Sequence, residues 1–554
     1  MLKRRPTAPA ALLLALTLTA GCGAATSPGT GGDPTPAATA TTTAGTSTSA
    51  SGTSSTTATI ALGATHADAS DYAWDASAEV AVTLADGGSS GGDGVSIKGS
   101  IVTITEGGTY RISGSLSDGQ LVVDSADEEV VRLVLDGVDI ASSTTAPVSV
   151  VDAAKVVIIL DAESENTLAD ATPYQYARAD VDEPNAALFS TADLTIAGEG
   201  SLAVSGNFND GIASKDGLVI AGGTITVNAD DDGIRGKDYL VVTGGTLTVS
   251  AGGDALKADN AEDATLGYVT IADGTVSLTA GTDGIDAVSS AIVEGGALAI
   301  TAGDDGIHAD TRLEIHGGTI EIARSYEGLE ATQVVISGGS VTLVADDDGL
   351  NVAGGNDASA VNGPGDRGGP GGVPGGGGAG GPGGETATAG YYVEMSGGTL
   401  VMTTGGDGFD SNGSATVTGG TIVINGPTAN NNGAIDVNGE FLISNAVLVA
   451  AGSIGMAETP DASSTQATLH LQFDSGVAAG TVVRVQASDG TAIATFEASK
   501  PFQSLVISTP DVAAGATYDV LTGGTVSGDG LGGLYLDATY VGGTVIGTVS
   551  AGAS

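Results

Sequence analysis

Nothing in this chain can form an internal disulfide, because Cys22 is its only cysteine. Basic residues are scarce as well. Only 17 lysines and arginines stand against 66 aspartates and glutamates, a formal charge of −49. That balance excludes nucleic acid as a partner, since phosphate binding needs a basic surface. Aromatic residues make up 4% of the chain, which leaves little material for a sugar-stacking platform. The four histidines, His66, His308, His316 and His470, show no metal-ligand spacing, so zinc is not expected. No apolar run is long enough to span a bilayer. The stretch at residues 10–20 is about eleven residues, against a hydrocarbon core of about 30 Å.

What the chain does have is glycine, 90 residues of it, placed periodically. An Asp-Gly-aliphatic phrase recurs at Asp210-Gly211-Ile212, Asp232-Gly233-Ile234, Asp283-Gly284-Ile285, Asp305-Gly306-Ile307, Glu327-Gly328-Leu329, Asp348-Gly349-Leu350 and Asp407-Gly408-Phe409. Asp254-Ala255-Leu256 and Asn432-Gly433-Ala434 are weaker copies. The usual step is 22 residues, and the two widest steps, 29 and 59, read as one repeat plus an insertion. A second phrase, Gly-Gly-Thr, keeps the same step from Gly222-Gly223-Thr224 to Gly419-Gly420-Thr421. Between the phrases lie short β-branched runs that alternate with period 2. Three such strands per 22 residues make one coil, and stacked coils make a parallel β-helix. Helical repeats and propeller blades need other repeat lengths and contents.

The N-terminus carries Lys3, Arg4 and Arg5, the short apolar run, and then Leu18-Thr19-Ala20-Gly21-Cys22. This reads as an export signal over residues 1–21 ending in a lipobox-like phrase, with Cys22 as the lipidation site. Removing the leader leaves a formal charge of −52. Residues 22–66 are mostly Thr, Ala, Ser, Gly and Pro, a disordered linker with a reach of about 35 Å. Residues 67–205 carry strands without a strict repeat and are expected to be irregular opening coils. Residues 206–460 are the regular repeats, interrupted by a Gly/Pro-rich loop at 354–390, and residues 461–554 are a β-rich C-terminal cap. The protein is expected to be a monomer on the outer face of the cell membrane, attached by its lipid alone.

The acidity is in register with the repeat. Asp210, Asp232, Asp254, Asp283, Asp305, Glu327, Asp348 and Asp407 each precede the corner position. Stacking puts such groups about 4.8 Å apart, where two carboxylates repel by about 1 kcal/mol in water and about 3–4 kcal/mol at an effective dielectric of 20. Asp230, Asp231, Asp304, Asp346 and Asp347 stand just before the corner, and Asp286, Asn351 and Asp410 two residues after it. So many hard oxygen donors suit Ca²⁺. The alternative is turn chemistry, in which each aspartate caps its own corner.

Gly114-Ser115-Leu116-Ser117-Asp118-Gly119-Gln120, Val134-Leu135-Asp136-Gly137-Val138-Asp139-Ile140, Leu188-Phe189-Ser190-Thr191-Ala192-Asp193-Leu194 and Asn209-Asp210-Gly211-Ile212 resemble the bacterial carbohydrate-binding domain family of lyase-like β-helices. The resemblance covers about residues 68–550. It implies an extracellular right-handed parallel β-helix that binds calcium and polysaccharide, cellulose and acidic pectin-like chains among them. Tyr174, Tyr176, Tyr239 and Tyr268 are candidate stacking surfaces, though such tyrosines commonly serve as packed loop residues. A calcium-dependent polysaccharide lyase is the alternative, with Lys215, Arg235, Lys237 and Lys257 as candidate bases beside the acidic column. The same cations can instead simply neutralise aspartates. A non-catalytic, calcium-stabilised scaffold is a third reading.

Overall fold

The computed structural model describes residues 62–353 and 386–552, apart from residues 177, 179 and 537. The expected signal segment, Cys22, most of the linker and most of the Gly/Pro-rich loop lie outside the described residues.

One coil shows how the rest is built. Ile234–Gly236, Tyr239–Val242 and Thr246–Ala251 are three short strands joined by tight corners. Each pairs in parallel with its counterpart in the coil before, Asp210–Ser214, Gly217–Ile220 and Thr224–Ala229. Each pairs likewise with the coil after, at Leu256–Ala258, Tyr268–Ile271 and Thr275–Thr279. The expected parallel β-helix is the observed fold, and the only helical turns among the described residues are two short 3-10 segments, Ala69–Tyr72 and Ala76–Ala78. Register survives the insertions: the Asp283 amide still donates to Asp254 across 29 residues, and the Asp407 amide to Asp348 across 59.

The inward positions form vertical stacks of like side chains. Ile212, Ile234, Leu256, Ile285, Ile307, Leu329, Leu350, Phe409 and Ile435 lie one above the next and are all buried. Because each coil buries its aliphatics against its neighbours, the core grows with the number of coils. The two glycine phrases have separate causes. In Gly-Gly-Thr the second glycine holds positive φ, 91° at Gly223, 96° at Gly245 and 84° at Gly296, which L side chains rarely adopt. At the Asp-Gly corner the constraint is space: a Cβ on Gly284 would overlap the Gly306 carbonyl oxygen and the Ile300 side chain.

The C-terminal end of the stack is sealed by side chains. Glu458 accepts from the Val437 amide (3.1 Å), Asp461 from Phe441 (2.8 Å), Ser464 from Ile443 (3.2 Å) and Gln466 from Ala446 (3.2 Å). An open strand edge invites further pairing, and these bonds occupy it. Phe502–Ser508 then runs antiparallel to both Val447–Gly452 and Thr468–Val477, which ends the parallel ladder. A five-stranded antiparallel sheet follows.

The linker is expected to extend to residue 66, but its last residues are docked on the outside of the solenoid. Leu62 packs against Val219, Tyr239, Val241 and Tyr268. The Gly63 amide donates to Thr265 (2.7 Å), and Tyr268 donates to the Gly63 carbonyl (2.8 Å). His66 pairs with Asp193 at 3.1 Å and contacts Thr195 Oγ1 (2.8 Å) and the Tyr239 hydroxyl (2.7 Å). Further along, Asp71 pairs with Lys155 (2.7 Å), and Trp74 covers Val134, Val157 and Ile159. The outer sheet face is unusually apolar here, so even a weakly hydrophobic segment gains by lying on it. His66→Ala is expected to cost about 1 kcal/mol and to speed proteolytic cleavage between residues 62 and 72, read by mass spectrometry. Unchanged cleavage would show that His66 does not pin the segment.

Candidate functional site

Two columns run side by side along one face of the stack. The first is the corner column, Asp210, Asp232, Asp254, Asp283, Asp305, Glu327, Asp348 and Asp407. The second lies three residues after these carboxylates on the short strand and reads Ala213, Arg235, Lys257, Asp286, His308, Glu330, Asn351, Asp410, Asp436 in strict register. Together they form a polar trough parallel to the axis.

Several corner aspartates divide their two oxygens between two tasks. Asp232 Oδ1 accepts the Asp254 amide (3.0 Å), Asp254 Oδ1 that of Asp283 (3.0 Å), Asp283 Oδ1 that of Asp305 (2.8 Å) and Asp348 Oδ1 that of Asp407 (2.5 Å). Asp407 does the same for Gly433. Each carboxylate thus caps the next corner, and in Asp232, Asp254 and Asp283 the other oxygen faces a cation of the second column. Turn capping and trough lining are both built into one residue.

The first coils of the trough are partly neutralised by their own cations. Arg235 bridges Asp210 (2.7 Å) and Asp259 (3.2 Å), with Asp232 at 4.0 Å. Lys257 contacts Asp254 directly and reaches Asp286 (3.0 Å) and Asp232 (3.9 Å). Burial still pushes the Asp210 carboxyl up to about 6 despite the guanidinium beside it. Burial also acts to raise Asp254, but Lys257 outweighs it and the carboxyl ends below its ordinary value. Arg235 and Lys257 are both pushed up, since their carboxylate partners overcome the cost of burial.

In the next coils His308 takes over. Its ring lies 3.8 Å from Asp283, 3.7 Å from Asp286, 3.6 Å from Asp310 and 4.0 Å from Glu330. Burial works against its protonation, but Asp283, Asp286 and Glu330 outweigh it and carry the imidazole up to about 10, which favours its charged form. Asp283, Asp286 and His308, and likewise Asp305, His308 and Glu330, bring ligand atoms within 4.8 Å of one another. Histidine spacing along the chain carries no sign of this, because the grouping arises between coils.

Further along the same column the balance changes. Burial, Asp407, Asp347 and Asp436 carry the Asp348 carboxyl up to about 8. Burial, Asp436, Asp347 and Glu458 carry Asp407 up to about 7. The neighbouring charges that move these two groups are themselves carboxylates. Asn351, 3% exposed, donates to Glu327 (2.6 Å) and leaves its amide oxygen without a donor, in register with Asp410. A buried amide oxygen among carboxylates is stabilised by a cation, and a donor set of carboxylate and amide oxygens fits Ca²⁺.

The other expected site residues are spread more widely. Asp231 is half-buried and Asp230 exposed at the same corner. Asp304 is half-buried, Asp347 accepts from the Tyr326 hydroxyl (2.7 Å), and Asp346 makes an exposed pair with Arg324 (3.0 Å). Lys215 is held by Glu183 at 2.7 Å, and Lys237 is half-buried in the turn after Arg235. Tyr239 and Tyr268 stack on each other at 5.4 Å beneath the docked N-terminal segment. Tyr174 is buried against Phe208 at 4.4 Å, with Tyr176 beside it. Asp259, His308, Glu330, Asp436 and Glu458 are not among the expected site residues. His308 and Glu330 stand two residues after their corner glycines, as Asp286 does, so that spacing was the available signal.

The fold and trough define an acidic parallel β-helix. Residues 98–355 match the family model described as carbohydrate-binding domain-containing protein. A curated relative of that description from Acetivibrio thermocellus is 43% identical over 137 residues, which cover 25% of this chain and 48% of the relative. The chain thus spans about half the length of the curated relative it matches. A solved structure titled as the polysaccharide lyase-like protein from C. thermocellum, gadolinium derivative, is 35% identical, with a TM-score of 0.42, covering 43% of this chain and 96% of that one.

Proposed function

We propose that this protein is a calcium-dependent carbohydrate-binding protein of the cell surface, taking polysaccharide of the cellulose or acidic pectin-like kind along its trough. The observation that carries the reading is the coil pair at Asp348 and Asp407, where half-buried carboxyls stand near Asp347 and Asp436 and the buried amide oxygen of Asn351, in register with Asp410, has no donor. Calcium in that stretch relieves the repulsion and leaves coordination positions for hydroxyl or carboxylate oxygens of a glycan. The match of residues 98–355 to a carbohydrate-binding domain family supports the glycan as partner. Attachment through a lipid at Cys22 would hold the solenoid at the outer face of the membrane.

Turnover is not part of the proposal. A lyase base must be available to a substrate proton, whereas Arg235 and Lys257 are each engaged by two or more carboxylates. The test is sedimentation with insoluble cellulose and with calcium polygalacturonate gel. Binding is expected in calcium, with a loss of about tenfold or more in chelator and in Asp348→Asn/Asp407→Asn. Absorbance of an unsaturated uronate product is expected to stay flat. Equal binding with and without calcium would overturn the metal, and absorbance that rises in wild type but not in Arg235→Ala would restore the lyase.

A further inference from the structure

A pocket of about 360 Å³ lies at the C-terminal end of the solenoid, just beyond Glu458 where the trough ends, between the sealing segment around Asp461, the strand Thr468–Val477 and the end of Thr544–Ser550. Its volume is in the lower range of small-molecule sites and suits a mono- or disaccharide. The walls include Thr459, Asp461, Gln466, Thr468, His470 and Ser550, with no lysine, arginine or aromatic residue in the lining.

Three of these side chains are held by hydrogen bonds before any ligand arrives. Asp461 is held through Oδ2 on the Phe441 amide (2.8 Å), His470 through Nε2 on Ser504 Oγ (2.9 Å), and Gln466 on the Ala446 carbonyl and Ser508 (both 2.9 Å). Each anchoring bond uses one polar atom. Asp461 retains its other carboxylate oxygen, His470 its Nδ1, and Thr459 and Thr468 bring hydroxyls. Burial holds the His470 imidazole below its ordinary value, so the ring is neutral at pH 7 and serves as donor or acceptor.

We propose that this pocket is a second carbohydrate subsite, which takes the neutral, hydroxyl-rich end of a saccharide without calcium. A carboxylate, a neutral imidazole and two hydroxyls match the edge of a hexose ring, where every substituent both donates and accepts. An anionic sugar meets the Asp461 carboxylate with no cation in the lining to offset it. With no aromatic platform, recognition runs through hydrogen bonds at the ring edge. The subsite is independent of the trough reading, since nothing in it calls for a metal.

The test uses the full chain in chelator, which silences calcium-dependent binding in the trough. Saturation-transfer NMR with cellobiose is expected to show binding, and the same experiment with galacturonate none. Asp461→Asn keeps an acceptor for Phe441 but removes the charge, and is expected to weaken cellobiose about tenfold. Ala462→Trp, at an exposed lining position, is expected to block the pocket with an unchanged thermal midpoint. No cellobiose signal in the wild type, equal signal in Ala462→Trp, or equal binding of galacturonate would each overturn the proposal. Calcium-dependent sedimentation can fail while this signal persists, or the reverse, so the two sites stand or fall separately.

Discussion

Arg235→Met is expected to destabilise the protein by about 3–5 kcal/mol, the cost of leaving a buried charge without its partner. Asp210 is 1% exposed and its Oδ2 is 2.7 Å from the guanidinium. Methionine keeps much of the volume and removes the charge. Burial already raises the Asp210 carboxyl, so without Arg235 its folded value climbs further above its unfolded value of 3.8. The folded state then binds more protons than the unfolded state, and stability falls as pH rises. The penalty is therefore largest near pH 8 and fades as pH drops toward 4. Urea unfolding at both pH values, with Asp210→Asn in the same background, checks this. The second substitution should recover most of the loss at pH 8. A loss that does not change with pH would point to packing as the cause and away from charge.

The ease with which this fold is read from sequence has a physical origin. In a solenoid each contact between coils joins residues one period apart, so the 22-residue step is itself a contact map. The stack from Ile212 to Phe409 follows from the Asp-Gly-aliphatic phrase alone, and so does the corner column; at the last copy the phrase points to Ala434, whereas Ile435 is the residue paired with Phe409. Two things were missed. The first was how far the counterions of the second column extend. Arg235 and Lys257 share a register visible in the repeat, but His308 continues it one level beyond Asp286, and this concentrates the trough's counterions at one end. A lone histidine among aspartates looks unremarkable along the chain, and its carboxylate neighbours come from adjacent coils. The second was the docked segment at Leu62 to Trp74. Its composition is that of a linker, and only the apolar outer face formed by Val134, Val157, Val219 and Val241 gives it a place to lie. That face carries no periodic mark in the segment that covers it.

The other large effect concerns the trough's remaining coils in the absence of metal. Asp348 and Asp407 have folded values of about 8 and about 7 against 3.8 for the ordinary carboxyl. Both are raised, so the folded state holds protons that the unfolded chain releases between pH 4 and 8. In chelator, stability is greatest below about pH 4 as far as these groups are concerned, and it declines as pH rises until both are ionised. Each tenfold difference in proton affinity between folded and unfolded chain corresponds to about 1.4 kcal/mol, so the pair together amounts to a loss of several kcal/mol by pH 8. Calcium binds the ionised form, and its stabilisation should therefore grow over the same interval: small at pH 5, large at pH 8. Thermal unfolding at pH 5, 6.5 and 8, with chelator or millimolar calcium, separates the two curves. In Asp348→Asn/Asp407→Asn the decline in chelator should flatten and the gain from calcium should shrink together, because both arise from the same two carboxylates. If the chelated protein were equally stable at pH 5 and pH 8, these corners would not be under electrostatic load, and the reason for calcium to bind at them would be gone.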